Sequence, residues 1–316
     1  MSTFPDGLFQ YGGQPVGSHL WASPWSKVYF VDGYNGSDTL DGLKPTSAKA
    51  TIAAATALAA TGDVIYIRPL DYSIGHGVER YSEDVSITMT NTGYNQAGGT
   101  TYPLVQPSNI SIIGCAHKTN PSYAVRWKPA TATALTNTSP NLHVENIGFF
   151  AEDLLAVSLL SNGTTDTQRG IDGTSFYNCE IKGGGMTVAD GGTCLTLDHC
   201  RFAPKYNGEV DNAFTYTCNT SPGRLLTIRN CEFFDGNGTA CDDQWITLTG
   251  TITEVLIRDC YFGQVPTGNA YIVAAAGVEG LIANCYFAAA DGSTTAIEQG
   301  GLFTVACHDV TGSNIV

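Results

Sequence analysis

The chain has 316 residues, 43% of them hydrophobic and 14% charged, and its 15 Lys plus Arg against 29 Asp plus Glu leave a net charge of −14. That apolar content excludes a disordered polymer, no compositional break separates two globular halves, and so acidic a surface repels a nucleic-acid backbone. No apolar run approaches the roughly 18–20 residues of a membrane span, so neither membrane insertion nor direct nucleic-acid binding is expected.

Residues 1–27 read as an extended arm, rich in Gly and Pro, without helix or strand periodicity. Phe4, Phe9, Tyr11, Trp21 and Trp25 are too large to be buried by so short a segment alone. They fold back on the end of the body or dock on a partner, and are the candidate partner-binding residues. Residues 28–70 read as a cap. A strand opens at Val28, and an acidic turn carries Asp32, Asp38 and Asp41. A helix over 48–60 then turns Ile52, Ala55, Leu58 and Ala59 inward, and a strand covers Val64 to Ile67. The acidic turn has the oxygen density of a calcium loop but neither the 12-residue order nor the closing Glu of an EF-hand, so it reads as a turn element and no metal is assigned.

Residues 71–316 are organised by repetition. Seven variants of apolar-x-apolar-x-Asn-Cys-x-Phe are centred on Cys115, Ile147, Cys179, Cys200, Cys231, Cys260 and Cys285, separated by 32, 32, 21, 31, 29 and 25 residues. A fixed centre with a variable period predicts a solenoid whose coils share one constant wall and differ in their loops. Segments 72–102, 162–174 and 203–220 are expected to be irregular insertions.

Phase within the repeat predicts its shape. In Leu226, Ile228, Cys231 and Phe233 the alternation of a strand holds for two positions and then slips by one. Such a slip turns the core set outward unless the chain bends there. Asn230 occupies the slip, and Asn146, Asn178, His199, Asp259 and Asn284 hold the equivalent places. Asn and Asp tolerate the left-handed geometry of a sharp bend. Strand, bend, strand then puts Cys179, Cys200, Cys231, Cys260 and Cys285 in one internal file, spaced by about 4.8 Å. Parallel stacked thiols suit a core better than disulfides. Cys194, Cys218, Cys241 and Cys307 are expected outside the file.

Outward positions before the bend read Tyr177, Asp198, Arg229, Arg258 and Ala283; those after it read Glu180, Arg201, Glu232, Tyr261 and Tyr286. Stacking sets Asp198 beside Arg229, and Glu180, Arg201 and Glu232 in alternating sign. Ion pairs of this kind hold carboxylates ionised, which suits structure better than general acid catalysis. His199 beside Cys200 reads as a turn histidine rather than a base beside its nucleophile. No catalytic residue and no cofactor is assigned.

The Asn bend between two short inward-facing strands resembles the second turn of right-handed parallel β-helices, the pectate-lyase-like superfamily that also builds many bacteriophage tailspikes. The runs from Val28 to Pro45 and from Thr51 to Pro69 resemble the opening of that superfamily. The likeness covers roughly residues 28–316 and implies an all-β, right-handed parallel β-helix solenoid with an N-terminal capping helix and an extended arm. The calcium-binding aspartates and arginine base of pectate lyases have no motif here onto which they can be carried. With no cleavable leader, no separate head domain and charge-paired walls, the expectation is a non-enzymatic phage virion protein. It would be a homotrimeric capsid decoration, a head spike or cement, assembled in the host cytoplasm and anchored by its arm to a major capsid or tail protein. The alternative is a tailspike-like polysaccharide depolymerase or lyase, or a spike binding host surface glycan with Tyr261 and Tyr286 as a stacking wall.

Overall fold

The computed structural model describes residues 26–70, 80–88, 109–115, 125–151, 154–160, 171–189, 192–203, 213–234, 244–263, 270–288, 297 and 300–308, with the backbone alone of 10–11, 14–15, 90–95, 101–106, 219–221, 298 and 309. The described body is a parallel β-helix with three walls. The pre-bend wall runs from Val28–Val31, Val64–Ile67 and Ser111–Gly114 through His143–Glu145, Ser175–Tyr177, Thr196–Asp198 and Thr227–Arg229. It ends with the last part of Ile246–Arg258, then Val278–Ala283 and Gly301–Val305. The post-bend wall is a nine-stranded sheet running from Tyr81–Ser82 to His308–Asp309. A third wall holds Val85–Ile87, Thr133–Asn137, Leu155–Leu160, Met186–Ala189, the start of Phe214–Arg224 and of Ile246–Arg258, and Ile272–Ala274.

The bend forms as the repeat requires. Asn146, Asn178, His199, Asn230, Asp259 and Asn284 all have φ between 51° and 57°. Their side chains also bridge coils: Asn178 Nδ2 donates to Asn146 Oδ1 (2.6 Å), and Asn230 Nδ2 to Asp198 Oδ1 (3.0 Å). Leu226, Ile228, Cys231 and Phe233 are all buried. Phe202, Phe233, Phe262 and Phe287 stack face to face with centroids 4.8 Å apart, the strand spacing itself. A second left-handed file, at Asn141, Gly173, Cys194, Leu225 and Glu254, stands five residues before the bend in successive coils. In the last-but-one coil Gly280 takes a place held by Val255 one coil earlier, because a Cβ there would lie 2.1 Å from the Val255 carbonyl oxygen.

Several expectations need correction. Cys307 belongs to the thiol file: the register of Tyr286 with His308 stacks it on Cys285, and it is buried. Cys218 is a core residue of the third wall and Cys194 is exposed, whereas Cys241 lies outside the described residues. The segment 203–220 is not one irregular insertion, since Phe214–Arg224 pairs in parallel with Met186–Ala189 and Ile246–Arg258. Part of 72–102 is also regular, with Thr90–Asn95 antiparallel to Thr101–Gln106.

The helix is shorter than expected, Ile52–Leu58, because Ala48 is already extended (φ −61°, ψ 151°) and Thr51 caps the helix by accepting from the Ala54 amide. Ile52 and Ala55 are buried, whereas Leu58 faces outward at 45% exposure. Glu83 secures the helix start by accepting from the Ile52 and Ala53 amides at 3.0 and 2.8 Å. Of the arm, Phe4, Phe9, Trp21 and Trp25 lie outside the described residues, and Tyr11 contributes only backbone to a two-residue antiparallel pairing with Gln14–Pro15.

Candidate ligand-binding wall

The outward files fall where stacking places them. Tyr177, Asp198, Arg229, Arg258 and Ala283 are successive partners on the pre-bend wall. Glu180, Arg201, Glu232, Tyr261 and Tyr286 are successive partners on the post-bend wall, which continues to His308. Two kinds of surface result, one polar and bonded to itself, the other aromatic.

Asp198 is the hub of the polar surface. Its side chain is 12% exposed and meets Arg229 Nη2 at 2.8 Å, His199 Nδ1 at 2.7 Å and Asn230 Nδ2 at 3.0 Å. Burial alone raises a carboxyl, but hydrogen bonds from Asn230, Arg229 and His199 outweigh it and hold Asp198 below the ordinary carboxylate value. Held ionised, it has no proton to give a leaving group near neutral pH. The His199 ring is turned to Asp198 and packs 5.5 Å from the Tyr177 ring. The neighbouring Cys200 thiol points inward and donates to the Phe176 and Asp198 carbonyls, both at 3.5 Å. A His199–Cys200 dyad is therefore excluded by direction. Burial also drives the Cys179 and Cys231 thiols up, away from nucleophilic thiolate.

The other acidic clusters are committed to turns. Asp32 meets Arg68 Nη1 at 2.6 Å and accepts from the Tyr34 and Asn35 amides. Asp38 accepts from the Ala50 and Thr51 amides, and Asp41 from the Leu43 amide and the Ser47 hydroxyl. These three carboxylates bond in different directions rather than converging, and among the described residues no group of three acidic, His or Cys side chains is placed to hold a metal ion. On the pre-bend wall Glu145 takes His143 Nε2 and Asn146 Nδ2, both at 3.3 Å.

The aromatic surface differs in kind. Tyr261 and Tyr286 stack with centroids 5.5 Å apart and planes 12° from parallel, and Tyr286 is 40% exposed. Phe234 packs edge-on against Tyr261 at 6.1 Å, and the Arg201 guanidinium lies 5.8 Å from the Phe234 ring. The two phenol rings stack along the coil axis, each covering part of the other's face, and together form an aromatic ridge bordered by Glu232 and His308 through register. Half-exposed aromatic groups with polar neighbours suit apolar contact with the C–H groups of a sugar, with hydroxyls left to the border. Phe234 and the exposed Phe303 (75%) and Val305 (54%) of the last coil did not stand out in the sequence.

No protein-family model and no curated protein matches this sequence. Among solved structures the chain is similar to a pectin methylesterase variant solved with a hexasaccharide, at 12% identity and a TM-score of 0.51, covering 93% of this chain and 92% of that one. It also aligns with a rhamnogalacturonan lyase at 15% identity and a TM-score of 0.47, over 92% of this chain and 89% of that one. The Dettilon tailspike protein aligns at 12% identity with a TM-score of 0.29, over 96% of this chain and 65% of that one. Identities this low bear on fold and not on activity. The fold is that of the pectate-lyase-like parallel β-helices.

Proposed function

We propose that this chain is a non-enzymatic β-helix of a phage particle that binds glycan on its post-bend wall without cleaving it. The observation that carries the binding half is the Tyr261–Tyr286 pair, two rings stacked along the coil axis on the outer face of the post-bend wall, with Tyr286 exposed. The absence of cleavage is supported by the state of the best-placed acids. Asp198, Asp32 and Glu145 are each held by cationic or hydrogen-bonding partners, and a carboxylate so held makes a poor general acid. The particle half rests on the resemblance of the bend and the N-terminal runs. In that reading residues 1–27 anchor the chain to a capsid or tail protein, three copies assemble, and the outer walls face the host.

A glycan array followed by titration calorimetry tests the binding half, with Tyr261→Ala and Tyr286→Ala as the decisive variants. Loss of one stacking ring weakens binding by about 1–2 kcal/mol, or roughly five- to thirtyfold. Undiminished binding by both variants would place the glycan elsewhere. Release of new reducing ends or of unsaturated product from a bound oligosaccharide would overturn the non-enzymatic half. Threefold density on purified particles, joined to the shell through residues 1–27, is the expected outcome for the anchoring.

A further inference from the structure

The pre-bend wall carries a constellation that neither the Asp198 hub nor the aromatic pair uses. His143–Glu145, Ser175–Tyr177 and Thr196–Asp198 are neighbouring parallel strands, and register sets His143 beside Ser175 and Ser175 beside Thr196. Val144, Phe176 and Leu197 are buried in the core between them, so His143, Glu145, Ser175 and Thr196 all face outward. The His143 ring lies between two partners: Nδ1 is 2.8 Å from Ser175 Oγ, and Nε2 is 3.3 Å from Glu145 Oε2. The His143 and Glu145 side chains are 13% and 21% exposed and Ser175 is half-buried, so the group is partly desolvated yet reachable from solvent.

The carboxylate fixes the direction of both bonds. Glu145 as a carboxylate can only accept, so in neutral His143 the ring proton sits on Nε2 and Nδ1 keeps its lone pair. Ser175 then donates its hydroxyl proton to Nδ1. Serine, histidine and carboxylate in that order are the parts of an acyl-transfer centre: a nucleophile, a general base, and the group that holds the base in its tautomer. The two ring nitrogens are used in the reverse sense of the chymotrypsin-type arrangement, but roles follow the hydrogen bonds and not the nitrogen names. Asn146 Nδ2 donates to the other Glu145 oxygen at 3.3 Å and steadies the carboxylate.

The surroundings select the acyl bond. The Ser175 and Thr196 amides are spent on the Leu142 and Thr174 carbonyls at 2.8 and 3.0 Å, so neither is free to meet an oxyanion. The Thr196 hydroxyl, on the next strand about 4.8 Å away, is left for that task. One hydroxyl stabilises an oxyanion less than a pair of amides does. Such a site suits an ester, whose carbonyl is more electrophilic than that of an amide and whose alkoxide leaves more readily than an amine.

We infer that Ser175, His143 and Glu145 form a hydrolytic site for carboxylic esters. Ser175 Oγ attacks the carbonyl carbon as its proton passes to His143 Nδ1. The tetrahedral intermediate collapses, the ester C–O bond breaks, and the departing alkoxide takes that proton as the free alcohol. Water then attacks the acyl-serine with His143 again as base, and the carboxylic acid leaves as Ser175 regains its hydrogen. Glu145 acts through His143 and is a positioning residue throughout. The reading of the post-bend wall denies cleavage of the glycosidic chain held there; this activity goes beyond it and concerns a different bond on a different wall.

Labelling of the full chain with an alkyl fluorophosphonate, located by peptide mass spectrometry, tests the nucleophile, and hydrolysis of p-nitrophenyl acetate tests turnover. The expected result is an adduct on Ser175 and ester hydrolysis that Ser175→Ala lowers at least about a hundredfold with an unchanged melting curve. His143→Gln is expected to slow the labelling of Ser175 by a similar factor. Glu145→Gln can donate to Nε2 and so favours the wrong tautomer. It is expected to lower kcat at least about tenfold with KM unchanged, whereas a merely structural partner of the ring would move the melting curve instead. No hydrolysis by the parent above the uncatalysed rate, equal rates in the parent and Ser175→Ala, or labelling that spares Ser175 would each overturn the inference.

Discussion

Replacing Asn230 separates the two tasks assigned to the bend. With φ at 53° it needs a residue at ease in the left-handed region, and its amide donates to Asp198 Oδ1 at 3.0 Å. Asn230→Ala puts an ordinary β-carbon in that region, at about 1 kcal/mol more than Asn, and deletes a hydrogen bond to a carboxylate. Bonds to charged groups are worth about 1.5–3 kcal/mol, and the exposed side of this one favours the lower end. The expected cost is about 2–3 kcal/mol. Asn230→Gly relieves the backbone strain, adds some unfolded-state entropy and loses the same bond, so it is expected to cost about 1 kcal/mol less than Ala. Equilibrium unfolding in guanidinium, followed by the fluorescence of buried Trp127 and Trp245, reads both. If Ala matches or exceeds Gly in stability, or if both lie within a few tenths of a kcal/mol of the parent, the bend does not depend on left-handed geometry and the reading of the repeat fails.

Further outcomes follow from the same structure. Phe233→Ala empties a site stacked at 4.8 Å on both Phe202 and Phe262 and is expected to cost about 3–5 kcal/mol, whereas Phe287→Ala, whose stacked neighbour on one side only is Phe262, should cost less; a reversed order in denaturation midpoints would refute the stack. Asp198, Asp32 and Asp84 all have carboxyl groups held below their ordinary value in the folded chain, so the stability they contribute is present above the unfolded value and is lost as pH falls through the folded one. Melting temperature should therefore decline below about pH 4, and Asp198→Asn should flatten that decline; an unaltered acid limb would remove Asp198 as its hub. Glu83, raised by burial despite the Ile52 and Ala53 amides, has the opposite sign, and its contribution falls as pH rises through the range just above the ordinary carboxylate value. A pH titration of Glu83 by NMR, showing a midpoint at or below that of a free Glu, would contradict this assignment.

The post-bend side of the fold was legible because left-handed backbone is demanding. Where φ must be near 55°, Asn and Asp recur, and the flanking apolar pair repeats with them. Cys307 escaped because its coil replaces Asn with Ala306, at φ 52°, and Phe with Asp309, so both landmarks are absent although the geometry persists. The second left-handed file accepts Asn141, Gly173, Cys194, Leu225 and Glu254, five residue types with no common signature. The third wall was hidden for a related reason. Phe214–Arg224 reads as a polar loop of Thr, Asn, Ser, Pro and Gly, yet Phe214, Tyr216 and Cys218 are buried at alternate positions.

On this reading the exposed, stacked tyrosine pair of a parallel β-helix holds glycan intact. A crystal structure of the full chain soaked with an oligosaccharide it binds tests this most directly. A sugar ring packed against the Tyr261–Tyr286 pair, with every glycosidic bond whole, is the predicted result. Density for a cleaved product, with the break lying between Glu180 and Glu232 across Arg201, would contradict it and make those two carboxylates the acid and base of an enzyme.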